Sequence, residues 1–127
     1  EQLAAEYTAI SQLIDEVKQR IDLLNASLND IASAKGALEE LEAVKEGEEL
    51  LVPIGAGVYV RVRVVDKSSV LVTVGASILV EKGLEEARKY LDEREQRVRD
   101  LLRRHVSDYQ ALASRLSEIE RELRAGR

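Results

Sequence analysis

The residues able to do covalent or metal chemistry are few in these 127 residues. There is no cysteine and one histidine, His105, which removes disulfides, thiolate ligands and a thiol nucleophile, and leaves no set for a zinc centre. Glu39, Glu40, Glu42, Glu46, Glu48 and Glu49 could be taken as an acidic docking or weak metal site. Such runs are more commonly solvated faces, and that reading is preferred. Arg97, Arg99, Arg103 and Arg104 are interleaved with acids and lack the stacking aromatics of a nucleic-acid groove. The net charge of −5 and pI near 5 point the same way. Gly55-Ala56-Gly57 is only GxG, and neither GxxxxGK[ST] nor GxGxxG occurs, so a turn explains those glycines better than a phosphate. An enzyme, a cofactor and a nucleic-acid partner are therefore not expected.

What remains is chemistry by apolar contact, and long elements must position it. One proline and seven glycines interrupt the chain rarely, and only four tyrosines supply aromatic rings. Leu3, Tyr7, Ile10, Ile14, Val17, Ile21, Leu24, Leu28 and Ile31 alternate spacings of four and three, the register of a coiled coil. Two successive threes then lead to Ala34, followed by Leu38 and Leu41, which overwinds a supercoil locally. From Lys82 onward the pattern returns as Leu84, Ala87, Leu91, Arg94, Val98, Leu101 or Leu102, His105, Tyr109, Leu112, Leu116, Ile119 and Leu123. A four-residue slip is expected around Leu101 to His105, with His105 packed or setting register in the seam and Arg94 either reaching a flank carboxylate or specifying register. Residues 1–46 hold ten acids against four bases, and residues 82–127 ten against twelve. Those balances favour pairing the two helices with each other, antiparallel.

Between the helices the period drops to two. Val58, Val60, Val62 and Val64 alternate with Tyr59, Arg61 and Arg63, the pattern of a half-buried strand. Val70, Val72 and Val74 form another strand beyond the turn residues Asp66 to Ser69. Val52 and Ile54 flank Pro53 before this pair, and Ile78 and Val80 follow it. The reading is α+β: a long antiparallel two-helix coiled coil joined by four strands, as two hairpins or a small meander. One domain is expected, divided into residues 1–46, 47–81 and 82–127. Four short strands cannot enclose a stable core, and valine-rich edges need covering by another chain. Val52, Ile54, Val58, Val60, Val62, Val64, Val70, Val72, Val74, Ile78 and Val80 are therefore expected to form an oligomerisation surface.

The wording of the linker is specific. Val52-Pro53-Ile54-Gly55-Ala56-Gly57-Val58-Tyr59-Val60, Val64-Val65-Asp66, Val74-Gly75-Ala76-Ser77 and Val80-Glu81-Lys82, continued by Glu86-Ala87 and Tyr90-Leu91, resemble the alpha subunits of the archaeal prefoldins. Four strands, not two, also resemble the alpha type over the beta type. Ser77 stands where that family often has a second glycine, and Ile78-Leu79 replaces a tyrosine-containing pair. The resemblance implies a hexamer with beta-type prefoldin subunits, two alpha and four beta. Its strands would build a double β-barrel platform carrying six coiled coils. Such a complex would capture unfolded client polypeptides without ATP and pass them to a group II chaperonin.

In such a hairpin the chain termini lie at the free end of the coil. Leu3, Tyr7, Ile10, Leu116, Ile119 and Leu123 would have fewer neighbours there, and fraying would let a client reach them. Closing the coil is the competing role for the same residues, and for Ile10 and Leu116 it is the preferred one. The rival function is a structural scaffold or adaptor without client capture. No apolar run approaches a membrane span and no leader is visible in Glu1-Gln2-Leu3, so no membrane partner and a cytoplasmic location are expected.

Overall fold

The computed structural model describes residues 1–126. Its elements run α1 (Gln2–Ala43), β1 (Glu49–Gly55), β2 (Val58–Arg63), β3 (Ser69–Thr73), β4 (Leu79–Gly83) and α2 (Leu84–Ala125). The α+β reading, with two long helices and four strands, is what is found. The first helix closes at Ala43 before Glu46, and Lys82 and Gly83 belong to β4 and not to the second helix. The chain forms two compact units, residues 1–30 with 95–127 and residues 31–94.

In the first unit the helix segments run antiparallel, since Glu6 pairs with Arg115 while Lys18, further along, lies over the Tyr109 ring. Ile10, Ile14 and Ile119 form its core, with Leu3, Tyr7, Tyr109, Leu112, Leu116 and Leu123 packed around them. Burial on α2 passes through Leu91, Glu95, Val98, Leu102, His105 and Tyr109. This corrects two expectations. Arg94 is exposed, bonding to the Tyr90 hydroxyl, and Glu95 takes the half-buried place. Leu102, not Leu101, faces inward, so the extra four-residue step falls at Leu91–Glu95 and not near His105. On α1 the two short steps through Leu28, Ile31 and Ala34 hold, with Ile31 buried. Both phase changes thus sit where the chain divides into its units.

The second unit also pairs its helix segments antiparallel, through Lys35–Asp92 and Glu42–Arg88. Leu38 and Ala87 are buried between them. The strands form two separate antiparallel hairpins, β1–β2 and β3–β4, and no meander. Asp66 to Ser68 is consequently a link between hairpins. Asp66 accepts from the Ser68 N–H and hydroxyl, which holds its carboxyl below the usual carboxylate range. Lys67 donates its ammonium to the Glu42 and Val44 carbonyls at 2.9 and 2.7 Å. A cation on the last carbonyls of a helix satisfies acceptors that have no partner inside it.

Each hairpin passes through three successive residues at positive φ, Gly55, Ala56 and Gly57 in the first and Gly75, Ala76 and Ser77 in the second, the last two of each set being the central residues of the turn. This is the type I′ turn, whose twist suits a two-stranded ribbon. Ile78 N–H closes the second on the Gly75 carbonyl at 2.9 Å. Ser77 holds φ 61 with a Cβ, which costs about 1–2 kcal/mol relative to glycine, against about 0.4–1 kcal/mol saved in the unfolded chain. Ser77→Gly should therefore raise stability by about 0.5–1 kcal/mol, seen as an upward shift in the thermal midpoint.

Candidate functional site

Two apolar surfaces emerge, one in each unit. At the paired chain ends of the first unit, the heptad spacing brings all six residues expected to meet clients into one cluster. None is fully exposed. Ile10 and Ile119 are buried, and Leu3, Tyr7, Leu116 and Leu123 are half-buried. The cluster is flanked by a forked ion pair. Arg115 donates Nε and Nη2 to the two Glu6 oxygens at 2.9 and 3.0 Å, and Nη1 to Glu118 at 3.2 Å.

The Arg115 hydrogen bonds hold Glu6 below the usual carboxylate range, opposed by desolvation and reinforced to a lesser extent by the guanidinium charge. The same bonds push Arg115 upward. Because the folded-state pKa of Glu6 is lowered, its contribution is present above the ordinary glutamate value of about 4.3 and is lost as pH falls through the lowered one. The thermal midpoint of the chain should fall on acidification below about pH 4, and part of that slope should vanish in Arg115→Gln. An identical slope in the variant would remove Glu6 as its source.

The second surface is the pair of hairpins. Leu50–Val62 and Val52–Val60 face one side of the first, and Val70–Lys82 and Val72–Val80 one side of the second. Ile54, Val58, Val60, Val62, Val74, Ile78 and Val80 remain 37–64% exposed. Val64 differs: it is buried, and its backbone N–H and carbonyl bond to Glu48 and Gly47. Val70 and Val72 are half-buried beside Ala34, Leu38 and Ala87.

A relation between the hairpins escaped the sequence reading. Every partner pair of β3–β4 is a β1–β2 pair displaced by twenty residues: Leu51↔Arg61 matches Leu71↔Glu81, and Val52↔Val60 matches Val72↔Val80. The signal was present in the words, since Val52-Pro53-Ile54-Gly55-Ala56 returns as Val72-Thr73-Val74-Gly75-Ala76. A self-comparison at that offset would have found it.

Among the described residues no convergent metal arrangement accompanies these surfaces: no three His, Asp or Glu side chains gather as a metal site, and no helix is long and apolar enough to cross a membrane. A depression of about 340 Å³ does occur, larger than expected, but Glu85, Glu86, Arg88, Lys89 and Asp92 line it along a single helix. That is an open charged face, unlike the mostly apolar cavity of a small-molecule site. His105 packs in the seam with its Nδ1 buried and unpartnered, beside Leu24 and Arg20.

Known proteins share this arrangement. A prefoldin subunit family model matches residues 10–126. The prefoldin subunit alpha of Thermofilum pendens is 36% identical over 98% of this chain and 96% of its own length. That of Pyrococcus horikoshii is 30% identical over 96% and 83%. In structure, a filamentous PFD from Methanocaldococcus jannaschii superposes with a TM-score of 0.77 over 93% of this chain and 98% of the other, at 24% identity. Two antiparallel helix segments in each unit, two β-hairpins between the long helices and a match along nearly the whole sequence place the chain in the prefoldin family of chaperones.

Proposed function

We propose that this chain is the alpha-type subunit of an ATP-independent holdase, which captures unfolded polypeptides in the cytoplasm and delivers them to a group II chaperonin. It acts as one prefoldin-like domain. In this reading the hairpins, through Val52, Ile54, Val58, Val60, Val62, Val70, Val72, Val74, Ile78 and Val80, join two such chains and four beta-type subunits into a β-barrel platform. Val64 contributes from within its own chain, as the buried base of the first hairpin.

The observation that carries the reading is the apolar cluster at the paired chain ends. An unfolded client offers apolar segments without fixed shape, so the surface that grips it needs area and mobility, and no pocket. Helix ends open at low free energy, and half-buried Leu3 and Leu123 become available when they do. Weak contacts repeated on several subunits retain the client by avidity. The rival scaffold reading needs the hairpins but not this opening.

The test is ATP-free suppression of aggregation, by light scattering of a denatured client diluted onto the assembly with beta-type subunits. The doubly substituted Leu3→Ser, Leu123→Ser chain should lose most of the suppression while its assembly keeps its mass. If the intact assembly suppresses nothing, the scaffold reading takes its place.

A further inference from the structure

The four arginines between positions 97 and 104 part company in the fold. Arg99 pairs with Glu95 and Arg103 with Asp100, so two of the cations are neutralised within their own helix. Arg97 and Arg104 are exposed and make no hydrogen bond or ion pair among the described residues. Steps of four and three set them on one ridge of α2, with Leu101 between them. Facing Leu101 from α1 are Leu23 and Arg20, which is likewise exposed and unpaired among the described residues. Arg20, Leu23, Leu24, Leu101 and His105 line one depression of about 240 Å³ on the flank of the first unit. Leu23 is 71% and Leu101 38% exposed. Neither belongs to the cluster at the chain ends, and closing the coil does not account for them.

We propose that this flank docks an acidic segment of a partner protein. Its carboxylates pair with Arg20, Arg97 and Arg104, and an aliphatic side chain enters the depression between Leu23 and Leu101. Charge complementarity fixes the sign of the partner. The chain as a whole carries −5, so three free guanidinium groups around one apolar spot are a local reversal that an anionic segment satisfies. Arginine ringing an aliphatic centre is also the composition of protein interfaces. Nucleic acid fits less well, because the exposed lining is leucine where a base needs a stacking ring, and the net charge repels a long polyanion. The site differs from client capture at the chain ends. It is open while the coil is closed, and it reads charge as well as apolar area.

The test is fluorescence anisotropy of a labelled peptide of repeated Glu-Leu-Glu, titrated with the full chain in low salt. It should bind with a Kd below about 100 μM, and peptides of repeated Lys-Leu-Lys or Glu-Ser-Glu at least about tenfold more weakly. Arg97→Gln with Arg104→Gln should weaken binding at least about fivefold, and the charge-keeping R97K, R104K chain should recover most of that loss. Leu23→Ser should cost about threefold. Arg121→Gln, at an exposed arginine elsewhere on α2, should stay within about twofold. Circular dichroism checks that each variant keeps its helices. No binding by the wild-type chain, equal binding of the basic peptide, or an R97Q, R104Q chain that binds like wild type would overturn the proposal. So would displacement of the peptide by an equal concentration of a uridine oligonucleotide, which gives the flank to nucleic acid. A loss of mass by the R97Q, R104Q assembly with beta-type subunits would give it to another subunit. None of these readouts depends on client capture.

Discussion

Replacing Ile119 with alanine should cost about 3 kcal/mol, within the roughly 2–5 kcal/mol seen for such truncations in packed cores. Among the described residues Ile119 is the one large side chain with no exposed surface, enclosed with Ile10 and Ile14. Its neighbours are seam residues fixed by the helical repeat, which cannot collapse into the space left without breaking register. For a chain of this size the thermal midpoint should drop by about 10 °C. Leu23→Ala is the matched control, since Leu23 is 71% exposed and its loss should stay within about 0.5 kcal/mol. Equal effects of the two would contradict the packing. The comparison also bears on client capture: a loosened end should open more often and bind clients better per surviving assembly at low temperature.

Val62→Asp should abolish assembly with beta-type subunits and leave the helices intact. Val62 is 37% exposed and lies opposite Leu50 on the aliphatic side of the first hairpin. In the isolated chain an aspartate there stays hydrated and costs little. Once a partner covers it, its carboxylate is desolvated without a counter-charge, a penalty of several kcal/mol, enough to shift an association constant by several orders of magnitude. Val72→Asp would be a poorer probe, because Val72 already packs beside Leu38 and Ala87 within its own unit. Mass photometry of the mixed subunits reads the result. An unchanged mass would place the interface elsewhere.

The helices and strands were legible because their periods are long and clean. Nine seam positions from Leu3 to Ile31 admit one register, and Val58 to Val64 admit one face. The slip on the second helix was misplaced for a physical reason. Arg94 and Glu95 are both polar, as Leu101 and Leu102 are both apolar, so spacing alone could not say which of each pair turned inward. The end cluster was legible as a set. Its burial was less so, because heptads show which residues face a partner helix and not how completely that partner covers them. The Lys67 clamp and the Glu6–Arg115 fork join residues far apart in sequence, and no local pattern announces such contacts.

A chain that spells nearly the same ribbon twice also sets itself a folding problem. β1 could pair with β4, or β3 with β2, at almost the same local energy and with the same turns unused. Natural sequences keep such alternatives well above the native state, and here the discrimination has to come from outside the repeated words. The link between the hairpins supplies it. Val64 is buried with its backbone bonded to Glu48 and Gly47, and Lys67 is tied to the end of the first helix. Together they tie the first ribbon to its own base, contacts that an exchanged pairing of the strands would have to give up. Substitutions in this link should therefore show themselves first as slow or mispaired refolding, well before they alter the stability of the finished fold.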